Sequence, residues 1–169
     1  MNATITTDRA DLLETLAKHR GLLRHTVDGL TDEQAALTPT ASELCLGGLV
    51  KHVTRVEGRW ARFIADGPAA MAMNEDSYAE HADSFRMLPG DALPSLLEQY
   101  DEVARHTDEL VTSLSDLDAT QPLPEAPWFE PGARWSFRRV FMHIVAETAQ
   151  HSGHADILRE TIDGQKSMG

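Results

Sequence analysis

Apolar residues recur at intervals of three, four and seven in four long stretches of the chain, the spacing of one face of a helix. In the first stretch, Leu12, Leu16, Leu23, Val27 and Leu30 predict a helix from about Asp8 to Leu30. Gly29 and the run Thr31-Asp32-Glu33-Gln34 mark its stop and a fresh N-cap. A loop with Pro39, Thr40 and Ser42 leads to a second helix, about Leu46 to Ala65, with Leu49, Val53, Val56, Trp60 and Phe63 as its stripe. Asp66-Gly67-Pro68 closes it in the usual order of helix stop signals. The third runs from about Asp91 to Leu117 on Leu93, Leu96, Tyr100, Val103, Thr107, Leu110, Leu114 and Leu117. Pro94 lies in its first turn, where a missing N–H does no harm. The fourth runs from about Phe137 to Ile162, capped by Ser136 and closed by Asp163-Gly164.

The intervening segments carry no such period. Residues 66–90 mix Pro, Gly, Met and acidic residues, and no more than a short helix or short helical turns are expected there. Residues 118–132 hold four prolines and read as a long loop. Nothing reads as a strand, and there is no internal repeat. Amphipathic helices of this length bury their stripes best against one another. The predicted fold is therefore an all-α four-helix bundle, a single domain over residues 1–169, with a long linker after helix two and a proline-rich loop before helix four.

Composition narrows the partners. The chain has 169 residues, enough to bury a core without staples. Its net charge of −12 argues against nucleic acid and against anionic membranes. No apolar run approaches the roughly 20 residues of a membrane span. Met1 to Asp11 lacks the basic and apolar regions of a signal peptide. Cys45 is the single cysteine, which excludes an internal disulfide and fits a reducing compartment, so a cytoplasmic location is expected. Cys45 itself reads as a small buried hydrophobe at a helix start. A small-molecule substrate is the expected partner, and a homodimer is compatible with the sequence.

The fourth helix carries the chemistry. Its stripe is Phe137, Phe141, Ile144, Thr148, His151, Ala155, Leu158 and Ile162, and His151 stands where a leucine would normally be. At about 100° per residue, Glu147 lies about 40° from His151, with His154 about 60° and His143 about 80° away on the same side. Burying a carboxylate and imidazoles together is costly without a compensating charge, which a metal ion supplies. Hydrogen-bonded histidines in a half-wet groove are the plainer reading, but Glu-x-x-x-His on a core stripe with two further histidines favours a metal. Two ligands at i and i+4 require a third from elsewhere. His52, at the edge of the second helix's stripe, is the natural candidate. Such a site keeps a position open, and zinc, nickel, iron(II) and manganese all suit the donors. Arg55 and Arg59, about 60° and 20° from His52, are candidates to hold an anionic substrate group. Glu57 falls about 140° from His52, so no role at the site is expected for it. Trp128 and Trp135 flank the proline-rich loop, either as a lid or as anchors.

The residues Leu46-Gly47-Gly48-Leu49-Val50-Lys51-His52, with Glu57 and Trp60, and the run Glu147 to Glu160 resemble the DinB-like superfamily. The likeness is greatest to its actinobacterial branch related to mycothiol-dependent maleylpyruvate isomerase. It implies a metal-binding four-helix bundle with His52, Glu147 and His151 as the ligands. Many relatives carry histidine at the first of the last pair; Glu147 matches the mycothiol-type members. The isomerase has an additional C-terminal domain, whereas this sequence ends at Gly169, so the isomerase reaction itself is not expected. The broader implication is a metal-dependent thiol S-transferase joining a low-molecular-weight thiol, mycothiol first, to a small electrophile. Zinc is the first choice of metal, and His154, or else His143, is the expected catalytic proton carrier or supporting donor. A metal-dependent hydrolase and a non-catalytic metal- or ligand-binding bundle are the alternatives.

Overall fold

Helix caps form where the polar signals place them. The Thr31 hydroxyl accepts from the Gln34 amide at 3.2 Å, and the Gln34 side chain accepts from the Thr31 amide at 3.0 Å. Ser136 accepts from the Arg139 amide, and the Cys45 sulfur from the Gly48 amide. The computed structural model describes residues 6–72 and 75–167; residues 1–5 of the Met1–Asp11 stretch, where no signal peptide is expected, two linker residues and the last two residues lie outside it. The helices are α1 (Thr7–His25), α2 (Asp32–Ala35), α3 (Leu46–Asp66), α4 (Glu75–Asp83), α5 (Leu93–Ser113) and α6 (Phe137–Asp163), with a 3-10 turn at Pro68–Met71. Among the described residues, no helix is long and apolar enough to cross a membrane.

The four long helices form a ring in which α1 packs on α5 and α6, and α3 packs on the same two. Helix α1 runs with α6, as the pairs Asp8–Arg138 and Thr26–Arg159 show, and against α5, as Arg20–Asp108 and Arg24–Asp101 show. Helix α3 runs with α5 and against α6. Parallel α3 and α5 require the linker of residues 67–92 to carry the chain back along α3. It lies close: a β-carbon at Gly48 would overlap the Phe85 carbonyl, and one at Gly47 the Met87 sulfur. The pair Gly47-Gly48 is what lets the linker backbone approach this helix.

The apolar core falls into two clusters. One includes Leu23, Leu46, Leu49, Val53, Leu96, Tyr100 and Leu158; the other includes Leu16, Phe63, Val111, Phe141 and Ile144. Between them lies a layer of buried polar groups: Arg20, Glu57, Thr107 and Thr148. Arg20 meets Glu57 through two nitrogens, at 2.5 and 3.3 Å, and Asp108 through the third, at 2.8 Å. Glu57 thus points to the bundle centre, away from His52, as its helical angle required.

Two expectations need correction. The proline-rich segment is not wholly irregular: Thr120–Pro122 (β1) pairs antiparallel with Arg134–Ser136 (β2). Strands of three residues are too short to show a period of two, and Pro122 sits at the last pair, where a ladder tolerates it. The first and third of the predicted long helices, α1 and α5, also end early. After His25 the chain tightens into i→i+3 bonds, with the Thr26 hydroxyl on the Leu23 carbonyl. At the end of α5, the Arg9 guanidinium takes the carbonyls of Val111 and Leu114, and Leu114 turns extended.

Candidate metal centre

His52 stands in the second turn of α3 and is 3 % exposed. Its ring stacks on Phe85 with centroids 3.8 Å apart and meets His81 and His151 edge-on at 5.4 and 4.8 Å. The linker that Gly47 and Gly48 admit supplies Ser84 as well as Phe85. His52 Nδ1 lies 2.9 Å from Ser84 Oγ, and Ser84 Oγ donates to the His81 carbonyl at 2.6 Å. A hydroxyl has one proton. Since Ser84 gives its own to His81, it accepts from His52 Nδ1–H. This fixes the tautomer, leaving the lone pair on His52 Nε2.

On α6, Glu147 and His151 share the side that faces α3. His151 Nε2 lies 3.8 Å from one Glu147 oxygen, and His143 Nε2 lies 3.6 Å from the other. His154 Nδ1 is 3.4 Å from His151 Nδ1. The Nδ1 atoms of His154 and His151 thus face each other, while His151 Nε2 faces the Glu147 carboxylate. Each member of the trio has a polar neighbour: Ser84 hydrogen-bonds His52, His154 stands against His151, and His143 stands beside Glu147.

The donor atoms of His52, Glu147 and His151 all lie within 4.8 Å of one another. Ligands on one tetrahedral first-row ion stand roughly 3.4 Å apart, so side-chain adjustments of about 1 Å bring the three onto a common point. Their protonation suits this. Burial, then the charges of His151, His81 and Arg55, push His52 down to about 3. Burial also holds His151 and His143 below the usual histidine range, against the pull of Glu147. Neutral imidazoles beside a carboxylate are the form that binds a divalent cation. The residues present fit such an ion.

The two arginines part company. Arg55 pairs with Glu80 at 2.5 Å and faces a shallow depression along α3 and α5. Arg59 bonds the Met71 carbonyl and lines a separate cavity of about 340 Å³ with Trp60, Tyr78, Trp128, Trp135 and His143. Of the loop tryptophans, Trp135 is an anchor, stacked on Trp60 at 4.9 Å with Arg139 over its ring at 4.6 Å. Trp128 is 61 % exposed at the cavity. His143 edges against both Trp60 and Trp135, so it stands between Glu147 and the cavity. His154 does not line that space. Sequence reasoning missed Ser84, Phe85 and His81, which carry no periodic mark in a linker some 30 residues from His52. The one signal available was Gly47-Gly48, which announces a close backbone neighbour at this turn.

No curated protein matches the chain. The fold matches the crystal structure of a conserved protein from Enterococcus faecalis, with a TM-score of 0.72 and 14 % identity, covering 96 % of this chain and 100 % of that one. At that identity the likeness speaks for the fold alone. The model of the DinB-like mycothiol-S-transferase family matches residues 11–164. That match takes in all four long helices but the first turn of α1, and with them every member of the His52, Glu147 and His151 cluster, so the chain belongs to the mycothiol-S-transferase family.

Proposed function

We propose that the protein is a metal-dependent thiol S-transferase that joins mycothiol, or a thiol like it, to a small electrophile. The observation that carries this reading is the convergence of His52, Glu147 and His151, each with its own supporting partner, in a chain of this family. These three residues would hold one divalent ion, with zinc the first choice for two imidazoles and a carboxylate. Such an ion lowers the pKa of a bound thiol enough to keep it as thiolate at neutral pH.

The chain's own residues supply the rest. Two neutral imidazoles and one carboxylate leave a charge of about +1 on the assembly, which a single thiolate neutralises. Ser84 holds His52 in the tautomer that presents its free nitrogen, and His154 stands against the Nδ1 side of His151. His143 is neutral at pH 7 because burial depresses it, so it can take up the thiol proton on the cavity side of Glu147. It is better placed for this than His154, whose nearest partner is His151. Phe85, stacked on His52, keeps water from one side of the cluster.

The test is a panel of low-molecular-weight thiols, mycothiol among them, with generic electrophiles, run with and without chelator. Metal-dependent conjugation that falls at least about tenfold in Glu147→Gln, with an unchanged helical spectrum, is the expected result. Conjugation indifferent to chelator would refute the metal's role. Stoichiometric metal without conjugation by any thiol would refute transfer and favour a hydrolase or a binding module.

A further inference from the structure

Six large hydrophobic side chains are exposed among the described residues, and two are aromatic: Trp128, 61 % exposed, and Tyr78, 55 % exposed. They come from different segments, the proline-rich loop and α4, yet both line the 340 Å³ cavity beside His143. A volume of this size suits a small organic molecule. Aromatic surface left in water on two sides of one cavity is surface that a ligand would cover.

The same cavity also holds a cation. Arg59 is half-buried, and its guanidinium bonds the Met71 carbonyl. Burial and the like charges of Arg55 and Arg62 make its positive charge costly. Among the described residues no carboxylate pairs with it, whereas its neighbour Arg55 has Glu80. Glu125 lines the cavity too, but it makes no ion pair or hydrogen bond with Arg59. The remaining wall is largely Trp60, Trp135 and Phe129, with few groups that could satisfy a polyhydroxylated thiol.

We propose that this cavity is the site of the electrophilic co-substrate, and that it takes a planar aromatic molecule bearing a carboxylate or similar anion, with its ring against Trp128 and Tyr78 and its anion on Arg59. The proposal builds on the transferase reading, in that it assigns the second substrate. A bound ring there lies next to His143, the residue that joins the cavity to Glu147.

Binding can be measured without thiol or turnover. The probe is 2-naphthoate, titrated by tryptophan fluorescence and calorimetry, with 2-naphthamide as its neutral match and cyclohexanecarboxylate as a non-aromatic anion. Naphthoate should bind better than either control. Arg59→Gln should weaken naphthoate about tenfold and naphthamide less than about twofold. Trp128→Ala, at an exposed position that does not threaten the fold, should weaken both aromatic probes about threefold to tenfold. Equal binding of naphthoate to wild type, Arg59→Gln and Trp128→Ala, or displacement of naphthoate by the thiol alone, would overturn the assignment. Binding as expected with no thiol conjugation supports the site and tells against the transferase reading. Conjugation of an aromatic electrophile with unchanged KM in both variants overturns the site and leaves that reading standing.

Discussion

Metal-free protein should lose stability between pH 8 and pH 5, and His52 alone should account for about 2 kcal/mol of the loss. Folding takes His52 from an unfolded-chain pKa near 6.5 to about 3, chiefly through burial against Phe85 and the linker. Below pH 6.5 the unfolded chain binds a proton that the folded chain refuses. Stability is therefore full above that pH, falls by about 1.4 kcal/mol per unit below it, and stops falling through this group near pH 3, where the folded ring also protonates. At pH 5 the fall has run for about 1.5 units, which is the 2 kcal/mol. Histidines 143 and 151 are depressed too and add loss of the same sign. The His52 share is isolated with His52→Asn, whose amide replaces the Nδ1–H toward Ser84 but does not titrate. Urea unfolding of both proteins at pH 8 and pH 5, in chelator, gives four free energies. Their double difference should be about 2 kcal/mol. A difference under about 0.5 kcal/mol would mean that His52 titrates as if exposed, and the packing of His52 between Ser84, Phe85 and His151 would be wrong.

Other consequences are open to equally direct measurement. Ser84→Ala removes the group that sets the His52 tautomer and should weaken zinc binding about 10- to 100-fold in a competition titration; it also leaves the buried Nδ1–H unpaired, so Tm of the metal-free protein should fall by a few degrees. Because the folded-state histidines are depressed, zinc binding at about pH 6 should release less than about 0.8 proton from His52 and His151 together, where two histidines of ordinary pKa would release about 1.5, read from calorimetry in buffers of different ionisation enthalpy. Glu57→Gln leaves Arg20 buried with Asp108 alone and should cost about 3–5 kcal/mol in urea unfolding while zinc content stays the same. Gly48→Ala drives a β-carbon into the Phe85 carbonyl and should lower both stability and zinc affinity, whereas Gly21→Ala, in open space on α1, should stabilise by about 0.5–1 kcal/mol.

How far the sequence carries depends on the range of the interaction behind each feature. The four long helices, the caps at Thr31 of the short α2 and Ser136 of α6, and the placing of Glu147, His151, His143 and His154 on one side of α6 follow from bonds that reach no more than four residues along the chain. Those bonds impose about 100° per residue, so a stripe and an i, i+4 pair are legible without a partner helix. The same rule turned Glu57 away from His52, and the structure puts it on Arg20. It did not reveal Arg20, whose place on the buried face of α1 is made tolerable only by two carboxylates from α3 and α5. Nor did it separate Arg55 from Arg59. One helical turn apart on α3, they differ because Glu80 of α4 reaches one and the cavity wall surrounds the other.

The meeting of His52 with His151, Ser84 behind His52, and the aromatic cavity were decided by tertiary structure. Each joins segments tens of residues apart, and no local bond encodes such a pairing. The ring order of the helices determines them, with α3 against α6, along with a linker that must run back down α3 because α5 starts at the same end. That return path is possible because Gly47 and Gly48 present no side chains to it. The two glycines were visible in the sequence, but their role depends on a backbone that arrives from almost 40 residues away.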